Sequence, residues 1–165
     1  MTKAIILAAG RGNRLSPLTK NKPKCLIKFL GKSLLDYQIE ALLNNKIHDI
    51  HVVSGYLQKK IINKNVTKSV NKNYNKSNMV NSFFSCMKIL NKKEDILIIY
   101  GDIIFTKENL KKVIDCKQDV CVMIDKNYLK YWKKRMKNPL DDLESLVVNE
   151  EGFIKEIGKK TENYK

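Results

Sequence analysis

The densest chemistry in this sequence lies between Ala8 and Lys24. Gly10 and Gly12 let a ligand approach the backbone closely, and N–H groups freed there bind anionic oxygens. Arg11, Arg14 and Lys24 add full positive charges within one short segment, and Pro17 and Pro23 stiffen the path between them. A triphosphate needs several donors in fixed geometry, and this loop can supply them. A glycine pair alone would read equally well as an ordinary strand-to-helix turn. The three bases and two prolines together point to phosphate.

Further candidates follow along the chain. Gly101-Asp102 comes directly after an apolar run. A carboxylate at a strand end can bind Mg²⁺, which keeps some waters and bridges phosphate oxygens; the same residue reads equally as a loop or cap aspartate. Asp125 is a weaker candidate of the same kind. Asn78 and Ser82 stand at the start of a helical pattern after a polar loop. Either could hydrogen-bond a base edge, and Asn78 could instead cap the helix.

These residues need elements to hold them. Residues 3–7 form a short, β-branched apolar run that predicts a buried strand leading into the glycine loop. Residues 33–44 carry Leu34, Leu35, Ile39, Leu42 and Leu43 at helical spacing, with Ser33 as N-cap. Residues 47–54 predict a second strand stopped by Gly55-Tyr56, 58–63 a short helix, and 66–70 a weaker strand. Residues 71–78 read as loop and 80–90 as helix. Residues 95–100 are a strong strand, 109–116 a helix, 119–124 another buried strand and 152–160 a strand with a basic end. Alternating strands and helices predict an α/β fold with a mainly parallel, mixed sheet. Such sheets bind ligands at the carboxyl ends of their strands, where the glycine loop and Gly101-Asp102 both lie.

The chain has 165 residues, enough for one domain with its own core, and residues 1–165 are read as a single domain. No stretch approaches the roughly 18–20 apolar residues of a membrane span. The N-terminus lacks a signal-peptide pattern, so a cytoplasmic setting is expected. Cys25, Cys86, Cys116 and Cys121 fit neither a zinc knuckle nor a CxxC pair, and reduced thiols are the simplest expectation. The net charge is +15, from 32 Lys+Arg against 17 Asp+Glu. Most of that excess is scattered lysine, so nucleic acid is not the expected partner; anionic small substrates suit the same field.

The run Leu7 to Leu15, then Pro17-Leu18-Thr19, then Lys22 to Leu26, resembles the signature of the sugar-phosphate nucleotidyltransferase superfamily. The resemblance implies a Rossmann-like, three-layer fold of the nucleotide-diphospho-sugar transferase type. It implies that Gly10, Gly12, Arg11 and Arg14 hold a nucleoside triphosphate and that Lys24 meets phosphates at the reacting centre. Ala8 and Gly55 would lie beside the base, Ala9 would also bind the nucleotide, and Asp102 would hold Mg²⁺. Asn78-Met79-Val80-Asn81-Ser82 and residues 131–146 are similar to the branch that activates phosphocholine or 2-aminoethylphosphonate with CTP. A quaternary ammonium binds well to aromatic faces and nearby carboxylates, so Tyr131 and Trp132, with Tyr128, Asp141, Asp142 and Glu144, are the acceptor candidates, unless Trp132 is core and the acids a solvated turn. Lys160 matches a lysine that meets the acceptor's phosphate, with Thr161 where proline is common. The implied reaction transfers CMP from CTP to a small phosphate or phosphonate and releases pyrophosphate. The rivals are a sugar-1-phosphate enzyme using UTP or dTTP, a non-catalytic nucleotide-binding fragment, and a nucleic-acid binder. A homodimer is admitted. The family continues with more strands and a second metal-binding aspartate, so the sequence reads as short at its C-terminus.

Overall fold

The computed structural model describes residues 2–91 and 93–160. The chain divides after Asp119 into two compact units. The first is built on a four-stranded sheet in the order β5-β4-β1-β6, with β1 at Thr2–Ala8, β4 at Ile50–Ser54, β5 at Thr67–Val70 and β6 at Asp95–Tyr100. All three ladders are parallel. A small antiparallel pair, β2 (Lys28–Phe29) and β3 (Lys32–Ser33), leads into helix α1 at Leu34–Asn44.

β1 is central and buried on both faces, which explains its unbroken apolar character. Ala4, Ile6 and Ala8 face one core with Leu35, Ile39 and Leu42 of α1 and Leu110 of α3 (Lys107–Ile114). Ile5 faces the other with Val53 and Cys86, against Leu7, Phe83 and Leu90. Helices therefore cover both faces, giving three layers. Burying each large aliphatic side chain stabilises the fold by about 1.5–3 kcal/mol. Ser33 caps α1 by accepting from the Asp36 N–H at 3.1 Å, as its position predicts.

The register brings the strand ends level. Leu7 pairs with Tyr100, Ala8 with Ser54, and Ser54 with Val70. The carboxyl ends of all four strands thus form one edge.

Several elements differ from expectation. Residues 80–90 are not one helix: α2 covers Met79–Phe84 and a 3-10 turn follows at Met87–Ile89. Ser85 Oγ donates to the Ser82 carbonyl at 2.6 Å and Cys86 Sγ to that of Phe83 at 3.0 Å, and such side-chain bonds compete with helix propagation. The expected helix at 58–63 is a 3-10 turn at Gln58–Lys60. Residues 119–124 form no strand; Val120 is 79% exposed, and the run pairs with no ladder among the described residues. Apolar character alone does not supply a partner strand. Cys116 and Cys121 are disulfide-bonded, so the expectation of reduced thiols holds for Cys25 and Cys86 only. Metal and CxxC spacings carry no information on disulfides.

The second unit holds α4 at Tyr128–Arg135 and an antiparallel pair, β7 (Glu144–Val148) and β8 (Ile154–Lys160). Of these only β8 was expected. No helix among the described residues is long and apolar enough to cross a membrane.

Candidate functional site

The glycine loop leaves the carboxyl end of β1. Gly12 has φ +70°, and a Cβ there would lie 3.1 Å from Lys24 Cβ and 3.2 Å from Thr19 Cγ2. Only glycine meets both demands, and Thr19 Oγ1 locks the turn by donating to the Gly12 carbonyl at 3.0 Å. A Cβ on Gly10, in contrast, would meet nothing within 4 Å. Gly12 serves the protein's own packing, whereas Gly10 leaves backbone open on the solvent side.

Three neighbouring segments close on this loop. At Gly55 a Cβ would fall 2.7 Å from the Ala9 carbonyl oxygen, and the next N–H, of Tyr56, donates to that oxygen at 3.0 Å. At Gly101 a Cβ would fall 2.9 Å from Ala8 Cβ, while the Gly101 N–H donates to the Leu7 carbonyl at 2.9 Å. Lys24, in a 3-10 turn at Lys24–Leu26, reaches across to Asp102: Nζ to Oδ2 is 2.5 Å. Arg11 stacks its guanidinium over the Tyr56 ring at 5.3 Å, and Tyr56 in turn donates its hydroxyl to the Lys20 carbonyl at 2.7 Å. Ala8, Ala9, Gly10, Arg11, Gly12, Lys24, Gly55 and Asp102 are thus gathered at one sheet edge. Arg14 sits on the exposed 3-10 turn Asn13–Leu15 of the same loop.

Asn78 and Ser82 connect to this edge through an intermediary. The Asn78 side-chain oxygen accepts from the Asn81 N–H at 3.0 Å, so it caps α2. Ser82 is buried; its hydroxyl donates to the Asn78 carbonyl at 3.2 Å and accepts from Asn71 Nδ2 at 3.0 Å. Asn71 is tied to β4 through its N–H, which donates to the Ser54 carbonyl at 2.8 Å.

Beneath Lys24, burial pushes the Cys25 thiol up to about 12, which leaves no thiolate to act as a nucleophile near neutral pH. Burial also raises Cys86. No group of three or more His, Cys, Asp or Glu side chains is placed to hold a metal among the described residues. Mg²⁺ does not need one: it binds through one or two carboxylates plus substrate phosphates, and the partly exposed Asp102 beside a phosphate-type loop fits that requirement. A cavity of about 370 Å³ opens on the opposite sheet edge, beside Asp49 and Thr67. Two of its polar groups serve the fold, Asp49 pairing with Lys3 at 2.5 Å and Thr67 Oγ1 with His51 Nδ1 at 2.7 Å, and the loop edge, with its glycines and bases, is the functional candidate.

The remaining expected residues belong to the second unit. Trp132 and Tyr131 lie on α4 with their rings edge-on at 6.3 Å, and Arg135 covers both, its guanidinium 4.6 Å from the Trp132 ring and 5.3 Å from that of Tyr131. Asp141 is exposed and accepts from Asn138 Nδ2 at 2.8 Å. Glu144 faces Lys160 across the β7–β8 ladder.

Sequence reasoning did not single out Gln38 or Asn71, and Thr19 entered only as part of the Pro17-Leu18-Thr19 run, with no role of its own. Gln38 had a visible signal, a polar residue on the inward stripe of α1 between Leu35 and Leu42. Asn71 was visible only as a polar residue in a polar segment.

Comparison with known proteins is consistent with this geometry. The nucleotidyl transferase family model matches residues 3–130. A CTP:phosphoglutamine cytidylyltransferase of Campylobacter jejuni is 42% identical over 170 aligned positions, covering 98% of this chain and 67% of that protein. A choline-phosphate cytidylyltransferase of Streptococcus pneumoniae is 54% identical over 56 residues, 34% of this chain and 24% of that protein. The inositol-1-phosphate CTP transferase from T. maritima superposes with a TM-score of 0.72 at 26% identity, covering 99% of this chain and 66% of the other. The chain therefore spans about two thirds, or less, of the length of these relatives.

Proposed function

The chain belongs to the nucleotidyl transferase family of enzymes, and from that premise we propose that it serves CTP-dependent cytidylyl transfer to a phosphorylated small molecule. The observation that carries the reading is the Lys24–Asp102 pair beside the glycine loop, in a chain 42% identical over nearly its whole length to a cytidylyltransferase.

In this reaction an oxygen of the acceptor's phosphate attacks the α-phosphorus of CTP. The bond from that phosphorus to the oxygen bridging the β-phosphorus breaks, and pyrophosphate leaves with the electron pair. No protein nucleophile is needed, and the protein's work is positioning and charge neutralisation. Arg11 and Arg14 hold the β- and γ-phosphates, with backbone N–H groups at Gly10 and Gly12. Lys24 offsets charge developing at the α-phosphate. Ala8, Ala9 and Gly55 border the base, and Asn78 and Ser82 shape its side of the site. Asp102 would hold Mg²⁺, which neutralises phosphate charge when bound. Lys160 meets the acceptor's phosphate.

For the acceptor, phosphoglutamine is favoured over phosphocholine or 2-aminoethylphosphonate. A relative that is 42% identical along 98% of the chain is named for phosphoglutamine. The Trp132 and Tyr131 faces that a quaternary ammonium would use already carry Arg135. α4 contains Lys130, Lys133, Lys134 and Arg135 and no acid, a field that suits the carboxylate of an amino-acid acceptor; Asp141 and Glu144 are left to meet its ammonium.

Pyrophosphate release tests this, with CTP, UTP or dTTP against phosphoglutamine, phosphocholine, 2-aminoethylphosphonate and a sugar 1-phosphate. Turnover with CTP and phosphoglutamine is the expected result. Faster turnover with phosphocholine would overturn the acceptor, and preference for UTP or dTTP would overturn the nucleotide.

A further inference from the structure

We propose that Gln38 is a positioning residue that fixes the Asp102 carboxylate from the far side of the sheet edge; this rests on the role given to Asp102 above. The inward stripe of α1 is Leu35, Gln38, Ile39 and Leu42. Three of these are ordinary core residues. Gln38 is 1% exposed, and an amide at such a place is kept only where it is hydrogen-bonded.

Its Nε2 donates to two backbone carbonyls, those of Tyr100 and Ile103, at 2.7 Å each. Both acceptors are oxygens, so the amide has one orientation. The two carbonyls bracket Gly101-Asp102. On the opposite side, the Gly101 N–H donates to the Leu7 carbonyl at 2.9 Å, and the bare Gly101 Cα lets the turn press against Ala8. The turn is therefore gripped between β1 and α1. With the carbonyls on either side tied to a single nitrogen, the direction of the Asp102 side chain is set, and its Oδ2 meets Lys24 Nζ at 2.5 Å.

The other end of the same amide shows that this grip has a cost. Gln38 Oε1 is buried and has no hydrogen-bond partner among the described residues. Leucine or methionine would fill the same space with no orphaned oxygen. A core position that tolerates an unsatisfied acceptor for the sake of its donor marks a site where placement outweighs packing.

The test compares the unaltered chain with Gln38→Met, which keeps the length and loses both donors, and Gln38→Asn, whose shorter amide cannot span both carbonyls. CTP affinity is measured by calorimetry with and without Mg²⁺, together with amide hydrogen exchange at residues 101–104. In Gln38→Met the Mg²⁺-dependent gain in CTP affinity is expected to fall about tenfold, the scale seen when a residue orienting a metal ligand is lost. Metal-free affinity stays the same. Exchange at 101–104 quickens about tenfold while the rest of β6 is unchanged. In an Asp102→Asn background, Gln38→Met causes no further loss. An unchanged Mg²⁺-dependent gain in folded Gln38→Met would overturn the proposal, as would equal losses with and without metal, which mark a merely structural residue. If Gln38→Met does not fold, the same criteria apply to Gln38→Asn. If the unaltered chain binds no CTP, the cytidylyl-transfer reading falls, and exchange at 101–104 alone decides whether Gln38 sets the turn.

Discussion

Lys24 and Asp102 are 78 residues apart in the chain, and their side chains meet at 2.5 Å. Lys24 comes from the turn that ends the glycine loop and Asp102 from the exit of β6. Both are about one third exposed. An ion pair so open to water contributes at most about 1 kcal/mol to stability. The pair therefore does little for fold maintenance, and both groups stay open to a ligand. Under the proposed function, each group holds the other's charge in the resting site, and a metal-bound triphosphate would take over both.

Replacing Lys24 with Ala or Asp102 with Asn should lower pyrophosphate release by about 10²–10³-fold, the usual loss when one charge-stabilising group is removed. Thermal unfolding should shift little, because the pair is exposed. Near-full, metal-dependent turnover in Asp102→Asn would remove Asp102 from the site.

Two glycines should respond oppositely to alanine. Gly55→Ala forces a Cβ against the Ala9 carbonyl and Tyr74, both backed by packed structure, and should destabilise the chain by about 1–3 kcal/mol in urea unfolding. Gly10→Ala has open space around it and should unfold as the parent does, yet bind CTP more weakly. Equal unfolding of the two variants would contradict the packing described for Gly55.

Arg135→Ala should discriminate between acceptors. With the guanidinium gone, the Trp132 and Tyr131 faces open and the basic field on α4 weakens. KM for phosphoglutamine should rise about tenfold or more, on the scale of one charge-assisted hydrogen bond, whereas phosphocholine is used no worse. An unchanged ratio of the two kcat/KM values would count against an acceptor role for α4.

His51 gives the fold a pH dependence. It is buried in β4, with Nδ1 against Thr67 Oγ1 and Nε2 without a hydrogen-bond partner among the described residues, and burial holds its pKa below the ordinary 6.5. The unfolded chain therefore binds the proton more readily. The stability tied to neutral His51 is complete above about pH 6.5 and declines as pH falls toward the lower folded value. Urea midpoints measured from pH 8 to pH 5 should show this decline, and His51→Val should flatten it. Identical slopes in the two proteins would assign the decline to other groups.

Cys25 should be chemically silent. Its thiol is buried and pushed up to about 12, so iodoacetamide at pH 8 should leave it unlabelled in the folded chain and label it in urea, as read by mass spectrometry. Labelling of native Cys25 at the rate of a free thiol would show that the floor beneath Lys24 is open.

Much of this was legible in the residues. β6 was expected at 95–100 and is found there, because a β-branched run ending in Gly-Asp admits few other structures. Ser33 was readable as a cap because capping is local chemistry. The glycine loop was readable from its own composition as the turn that ends β1. What stayed hidden depends on residues distant in the chain. Nothing near Gln38 says that Tyr100 and Ile103 will present carbonyls to it, and nothing near Ser82 says that Asn71 will occupy its hydroxyl. The strand expected at 119–124 failed for the same reason in reverse: its apolar residues were read without a ladder to receive them. For Trp132 the sequence left an acceptor face or a core position open, and neither reading includes Arg135, which lies one helical turn away and covers the ring.

The strand order also bears on how the chain is made. Of the four strands of this sheet β1 is made first, yet it lies inside the sheet, and one of its two ladders pairs Thr2 with Asp95. At about 5–20 residues per second, several seconds separate the synthesis of the two partners. Throughout that interval an aliphatic strand meant for full burial has one open edge. Until β6 emerges that edge has no partner strand, and the closing of the β1–β6 ladder carries Asp102 to Lys24. The candidate site is assembled only when the β1–β6 ladder closes.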